Sequence, residues 1–448
     1  MDVFLLDNYN KLVNIIFHNP HAIWFKTNIS CYYADTKSIS KYDYLFDYIY
    51  RKNKKIKVLV DESSMAPLFR GSLRLLDNPI IDFYAWLLIN RLSLSKFEII
   101  KKASALGEDD IIFSFLYGSF TYLNWTKDTE SLGFLSDFKN SNAYKVLHLT
   151  HYAYNPALGA FNSEFAGVDL FIGENNLFKN SAFFRNFFNW YNKNVMVLPF
   201  VAQRRFQPIK SFSLRLNKAL STGTNTHRIT EINFNSFFKS DVLQPMRETI
   251  SINSEKLKPF LDSLITNIQD NSNFKLTGYA SQFGKFLHLL TKPLIFVFGD
   301  IYRLCNLVYN YIFKRDFSSM KNERGYYKID IVESYNNYKM FIVPEEIIGL
   351  PGIGFVEGMS CGCAYIGIRD PMYMDLGLVD GIHYIGYDGT LDDLIFKITY
   401  YQKHEEELER IASNGYNFVS QNFNEEKVAS DFFAALYEQA KYKTFKND

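Results

Sequence analysis

Residues 344–367 read PEEIIGLPGIGFVEGMSCGCAYIG, and the order of their residue types decides the fold. An apolar run, Met340 to Val343, leads into them. Glycines at 349, 352 and 354 then crowd the approach to Glu357, and a second short apolar run, Ala364 to Ile368, follows. This pattern predicts a strand, a glycine turn, a helix and the next strand of a parallel sheet.

Such a turn suits a ligand. Glycine lets the backbone approach a bound group closely, while the first N–H groups of the following helix lack intrahelical partners. A phosphate would satisfy them, and Glu357, about one turn in, could accept hydrogen bonds from sugar hydroxyls attached to that phosphate. The competing reading is a buried βαβ corner whose glycines only permit close packing.

Within this stretch, GIGFVEGMSCGCAYIG resembles the donor-site segment of GT-B glycosyltransferases, particularly the retaining family numbered four. The tail EEELERIASNGYNFVSQNFNEEKVASDFFAAL, residues 405–436, is similar to the same family's continuation. The likeness covers the last quarter to third of the chain well and the remainder in outline. It implies an α/β chain of GT-B type, two Rossmann-like domains with parallel sheets facing across a cleft. It also implies a nucleotide sugar as donor substrate, bound by Gly352, Ile353, Gly354, Phe355 and Glu357. The expected activity moves a sugar to a saccharide or lipid-linked saccharide acceptor, in surface polysaccharide synthesis. A nucleotide-sugar epimerase or hydrolase of the same fold, or a non-catalytic binding subunit, are the alternatives.

The chain departs from the family pattern at two places. The family's first glutamate falls eight positions before the second, where this chain has Gly349, so Glu345 or Glu346 would have to take over its contact to the transferred sugar. The Gly-Arg turn and following Lys that grip the donor diphosphate are also absent in register. Arg215, Lys218 and Arg228 are the nearby basic candidates, beside a predicted turn at Gly223 and Thr224.

The chain has 448 residues, room for two domains with substantial cores. The predicted division is 1–195 for an acceptor-binding domain, 196–424 for a donor-binding domain, and 425–448 for a helix returning to the first domain. The hinge is read at Val195 to Pro208. Basic and acidic residues number 49 and 48, a net charge of +1, so no global field would recruit nucleic acid. The 4 cysteines are too scattered for a disulfide framework, and no metal or cofactor is expected. Without a secretory pattern or an apolar run of about 20 residues, the expected location is cytoplasmic. Pro293 to Gly299 reads as a buried strand. The alternative is a helix with an apolar stripe from Leu294 to Ile312, a pattern that is more often core than membrane surface but compatible with peripheral contact at the inner membrane face, which a lipid-linked acceptor requires.

In the first half, predicted strands fall at Ala22 to Phe25, Lys57 to Val60, Ile111 to Leu116, Val146 to Leu149 and Val168 to Ile172. Helical patterns run from Ile80 to Leu94 and from Phe178 to Tyr191, and residues 231–290 read as mainly helical. Polar residues gather after the strands, where open parallel sheets bind ligands. His151 there is the candidate for donor-sugar contact, with Glu346 the second catalytic candidate, whereas His148 is read as structural. Asp61, Glu62, Glu164 and Glu174 are the acceptor-side candidates.

Overall fold

A computed structural model gives the structure of the chain and describes residues 14–18, 42–52, 56–59, 94–116, 120, 135–225, 232–267 and 330–444. The first sheet contains β1 (Asn14–His18), β2 (Ile56–Leu59), β3 (Phe97–Ile100), β4 (Asp110–Phe115), β5 (Tyr144–His148), β6 (Leu170–Gly173) and β7 (Met196–Val197). They lie in the order β3-β2-β1-β4-β5-β6-β7, every pairing parallel. The central strands read as continuous apolar runs because both sheet faces are covered, and Ile111, Ile112, Val146 and Leu147 are wholly buried.

The second sheet contains β8 (Leu216–Asn225), β9 (Leu261–Asn267), β10 (Tyr338–Ile342), β11 (Ala364–Ile368) and β12 (Ile385–Tyr387), in the order β12-β11-β10-β8-β9. It too is parallel throughout. The fold is therefore α/β with two Rossmann-like parallel sheets, the architecture expected of GT-B. The last helix, Glu425–Thr444, returns to the first lobe. Its Phe433 stacks on Tyr48 at 5.7 Å and its Phe432 meets Phe113 edge-on at 5.7 Å. A cavity of about 270 Å³ marks the crossing of the two inter-lobe passages, with Gln203 and Arg204 from one and Phe423 and Glu425 from the other.

The strand readings from Lys57, Ile111, Val146, Val168, Met340 and Ala364 each coincide with a strand. Others require correction. The first described strand is Asn14–His18, and the reading at Ala22 to Phe25 lies outside the described residues, as do Pro293 to Gly299, the stripe from Leu294 to Ile312 and all of Ile80 to Leu94 but its last residue. β3 had no counterpart in the sequence reading. Phe178 to Tyr191 is not one helix: Leu177–Asn180 and Ala182–Phe187 break at Ser181, whose hydroxyl caps Phe184 N at 3.1 Å. Gly223 and Thr224 do not form a turn, since β8 runs through them to Asn225. Residues 261–267 are strand rather than helix, and they pair with the whole carboxyl half of β8. Among the described residues, no helix is long and apolar enough to cross a membrane.

Candidate functional site

In the second sheet the chain reverses its direction of winding between β8 and β10, and ligands of such sheets bind outside the carboxyl ends at that reversal. Arg247, on helix Pro245–Ile252, lies across those two strand ends. Its Nε donates to the carbonyl of Pro344 at 2.9 Å and its Nη1 to that of Thr224 at 3.0 Å. Two glycines make room for it. A Cβ on Gly223 would stand 2.8 Å from Nε, and one on Gly352 would stand 3.2 Å from Nη2. Gly223 also holds φ at +138°, which side-chain-bearing residues rarely adopt.

Arg247 is only 8% exposed, and among the described residues no carboxylate pairs with it and Nη2 has no hydrogen-bond partner. Burial lowers its pKa, while the nearby charges of Glu346 and then Glu345 oppose that shift. With Nε and Nη1 tied to neutral carbonyls, Nη2 is left to donate to a bound anion, and the planar fork matches phosphate geometry. Sequence reading missed this residue. The available signal was an arginine three positions before Ile250, on the stripe of the helix that is buried.

The glycine turn sits beside it. Helix Gly354–Ser360 starts where expected, with Glu357 half-buried in its first turn. Gly352 and Ile353 keep some surface, but Gly354 is buried and a Cβ there would meet Tyr335 Oη and Val343 at 2.7 Å. Phe355 is not a ligand contact. Its ring is wholly buried against Tyr365, Tyr373 and Phe423, and its N–H is taken by the Gly352 carbonyl at 3.1 Å.

Arg215 and Lys218 are corrected as well, because both lie toward the amino end of β8, away from the turn. Arg215 is buried and spends its guanidinium on the carbonyls of Lys210, Cys361 and Gly362. Lys218 pairs with Asp262 at 3.2 Å on the neighbouring strand. Arg228, Asp61 and Glu62 lie outside the described residues.

The two glutamates before Gly349 differ in kind. Glu345 Oε1 accepts from Tyr373 Oη at 2.6 Å, Tyr365 Oη at 3.0 Å and Ile368 N at 3.0 Å, a protein cage that consumes it. Burial raises its pKa, and those hydrogen bonds, Tyr373 first, pull it back. Glu346 is half-buried, held by Gln244 Nε2 at 3.2 Å, and near enough to raise the pKa of Tyr152, on which burial acts most. Of the pair, only Glu346 faces the first lobe.

On that lobe, His151 is exposed in the turn after β5, at φ 54°, with its ring edge-on to Tyr154 at 5.7 Å. The adjoining Tyr152 donates to the carbonyl of Ile348 at 3.2 Å, which brings this turn to the segment carrying Glu346. His148 is structural: wholly buried, with Nδ1 2.7 Å from Thr150 Oγ1 and its ring on Tyr42. Glu174 is no exposed acceptor contact, being buried and accepting from Tyr42 Oη at 2.7 Å. Glu164 is exposed near the end of helix Pro156–Ala166, which leads back to the amino edge of the sheet, the wrong side for a cleft. Among the described residues no group of three or more His, Cys, Asp or Glu side chains is placed to hold a metal.

Residues 312–434, from before β10 into the last helix, match the family model described as "Glycosyl transferase-like". No curated protein matches the chain. Among solved structures, HepE of Anabaena in complex with UDP and glucose is similar at 14% identity over 95% of this chain and 99% of that one, with a TM-score of 0.47. A glycosyltransferase from Rickettsia africae is 11% identical over 96% of this chain and 98% of that one, with a TM-score of 0.48. A sucrose-phosphate synthase from Thermosynechococcus elongatus is 10% identical over 96% and 100%, also at 0.48.

Proposed function

We propose that this chain is a glycosyltransferase that moves a sugar from a nucleotide-sugar donor to a saccharide acceptor. The observation that carries the reading is Arg247, a buried cation that among the described residues is hydrogen-bonded to main-chain carbonyls and to no carboxylate, at the winding reversal of the second sheet and framed by Gly223 and Gly352. The match of residues 312–434 to a glycosyl transferase-like family supports it, since that span contains the glycine turn and Glu357.

In this reading the donor diphosphate lies between Nη2 of Arg247 and the start of helix Gly354–Ser360, with Glu357 accepting hydrogen bonds from the ribose. The guanidinium stabilises charge that develops on the leaving diphosphate, and it does so pre-organised, because two carbonyls already fix its plane. His151 and Glu346, from opposite lobes, contact the transferred sugar. A retaining reaction needs no strong protein base, as the leaving phosphate takes the acceptor proton. Use of a lipid-linked acceptor, in surface polysaccharide synthesis at the inner membrane face, belongs to the same proposal.

The test is a thermal-shift screen of nucleotides and nucleotide sugars, followed by turnover with and without saccharide acceptors. A ligand that binds the folded state raises the melting temperature. The reading expects a nucleoside diphosphate to shift wild type but not Arg247→Met, and sugar transfer only when acceptor is present. Free or isomerised sugar from donor alone would favour a hydrolase or epimerase instead.

A further inference from the structure

Residues 347–350 belong to the second lobe by chain position, yet they pack into the first. Ile348 and Leu350 are buried in the apolar cluster of Tyr152, Leu177 and Phe183, together with Phe234 and Leu243. The main chain of this strap is held as well. Ile347 N donates to Leu243 O at 2.9 Å, Tyr152 Oη to Ile348 O at 3.2 Å, and Asn175 Nδ2 to Gly349 O at 2.6 Å. Asn175 is itself wholly buried. Gly349 sits at φ +84°, and a Cβ there would lie 3.3 Å from the carbonyl of Asn180, so the fit depends on the missing side chain. At the outer edge of the same contact, Asp375 accepts from Lys179 Nζ at 2.6 Å and from Asn180 Nδ2 at 2.9 Å.

These contacts run without a break from an apolar plug to an exposed ionic clasp. Parting the lobes here would hydrate Ile348, Leu350, Phe234 and Leu243, and would strip their partners from Tyr152 and Asn175 together. We propose that the strap is a fixed pivot: the lobes turn about it but do not separate along it, and any opening that admits a ligand lies elsewhere on the interface. The pivot is a property of the lobes themselves and stands apart from the reaction assigned to them.

Spin labels at Asn186→Cys in the first lobe and Met374→Cys in the second, both exposed, report the gap across the clasp. Cys31 and Cys305 are replaced by serine, while the buried Cys361 and Cys363 stay. Double electron–electron resonance is expected to give one distance population, displaced by less than about 2 Å when uridine diphosphate is added. The unliganded protein decides the question even if that nucleotide does not bind. A second, longer population, or a larger shift, overturns the pivot. Asp375→Ala removes the clasp but leaves the plug, and should keep the single population. Leu350→Glu, which charges the plug, should create the longer one; a distribution identical to that of the parent overturns the role given to the plug.

Discussion

Replacing Gly223 by alanine perturbs the proposed anion site without touching its charge. At φ +138° the added Cβ is strained, at a cost of about 1–3 kcal/mol. It also lands 2.8 Å from Arg247 Nε and 3.0 Å from its Cδ and Cζ. Holding the guanidinium in place then costs about another 1–3 kcal/mol of overpacking. If the guanidinium moves instead, the carbonyls of Thr224 and Pro344 lose their donor and Nη2 leaves the turn. A charge-assisted hydrogen bond is worth about 1.5–3 kcal/mol, so nucleoside diphosphate affinity should fall roughly 10- to 150-fold. Isothermal titration with uridine diphosphate at fixed ionic strength, paired with urea unfolding, measures both effects. Gly381→Ala is the control, because Gly381 has φ +74° with nothing within 4 Å of its Cβ position. It should cost about 1–2 kcal/mol of stability and no affinity. Unchanged affinity in Gly223→Ala, with no loss of stability beyond that of Gly381→Ala, would refute the reasoning, since the added Cβ would then press on nothing that holds Arg247.

Three further outcomes are expected. Arg215→Met should cost about 2–4 kcal/mol in urea unfolding, by orphaning the carbonyls of Lys210, Cys361 and Gly362, yet leave nucleotide affinity intact; a large affinity loss would return Arg215 to the site. Because burial raises the pKa of Glu345 above its unfolded value, its contribution to stability is full below the unfolded pKa and is lost as pH rises through the folded one. Glu345→Gln should therefore flatten the decline in melting temperature above pH 4–5, and an unchanged pH profile would count against a desolvated carboxylate. Phe433→Ala should destabilise the first lobe by about 3–5 kcal/mol, read from hydrogen exchange in helix Asp43–Arg51, because it empties the stack on Tyr48.

Much of the framework was legible because fully buried parallel strands announce themselves as apolar runs bounded by polar residues. Ala364–Ile368 is such a run and was read to the residue. β9 was not, because LDSLITN sets its apolar residues at 261, 264 and 265, a helical spacing, on an outer strand whose residues 262–265 are only partly buried. The Gly223 error has one cause with two effects. A glycine inside a strand reads as a turn, yet here it clears space for an arginine contributed by a later helix. Arg247 was invisible for the complementary reason: PMRETISI carries no motif, and only the fold reveals that its arginine points between β8 and β10. Glu345 and Glu346 could not be ranked from sequence either, since adjacent residues point to different surroundings and only the tyrosines at 365 and 373 decide which carboxylate is consumed.

Donor binding in this chain depends on an anion meeting Arg247 at the glycine turn. A crystal structure of the wild-type protein with uridine diphosphate bound tests this most directly. A phosphate oxygen is expected about 2.7–2.9 Å from Nη2 of Arg247, with the Pro344 and Thr224 contacts kept and the diphosphate at the start of helix Gly354–Ser360. A diphosphate bound elsewhere, with Arg247 still engaged by main-chain carbonyls alone, would contradict it.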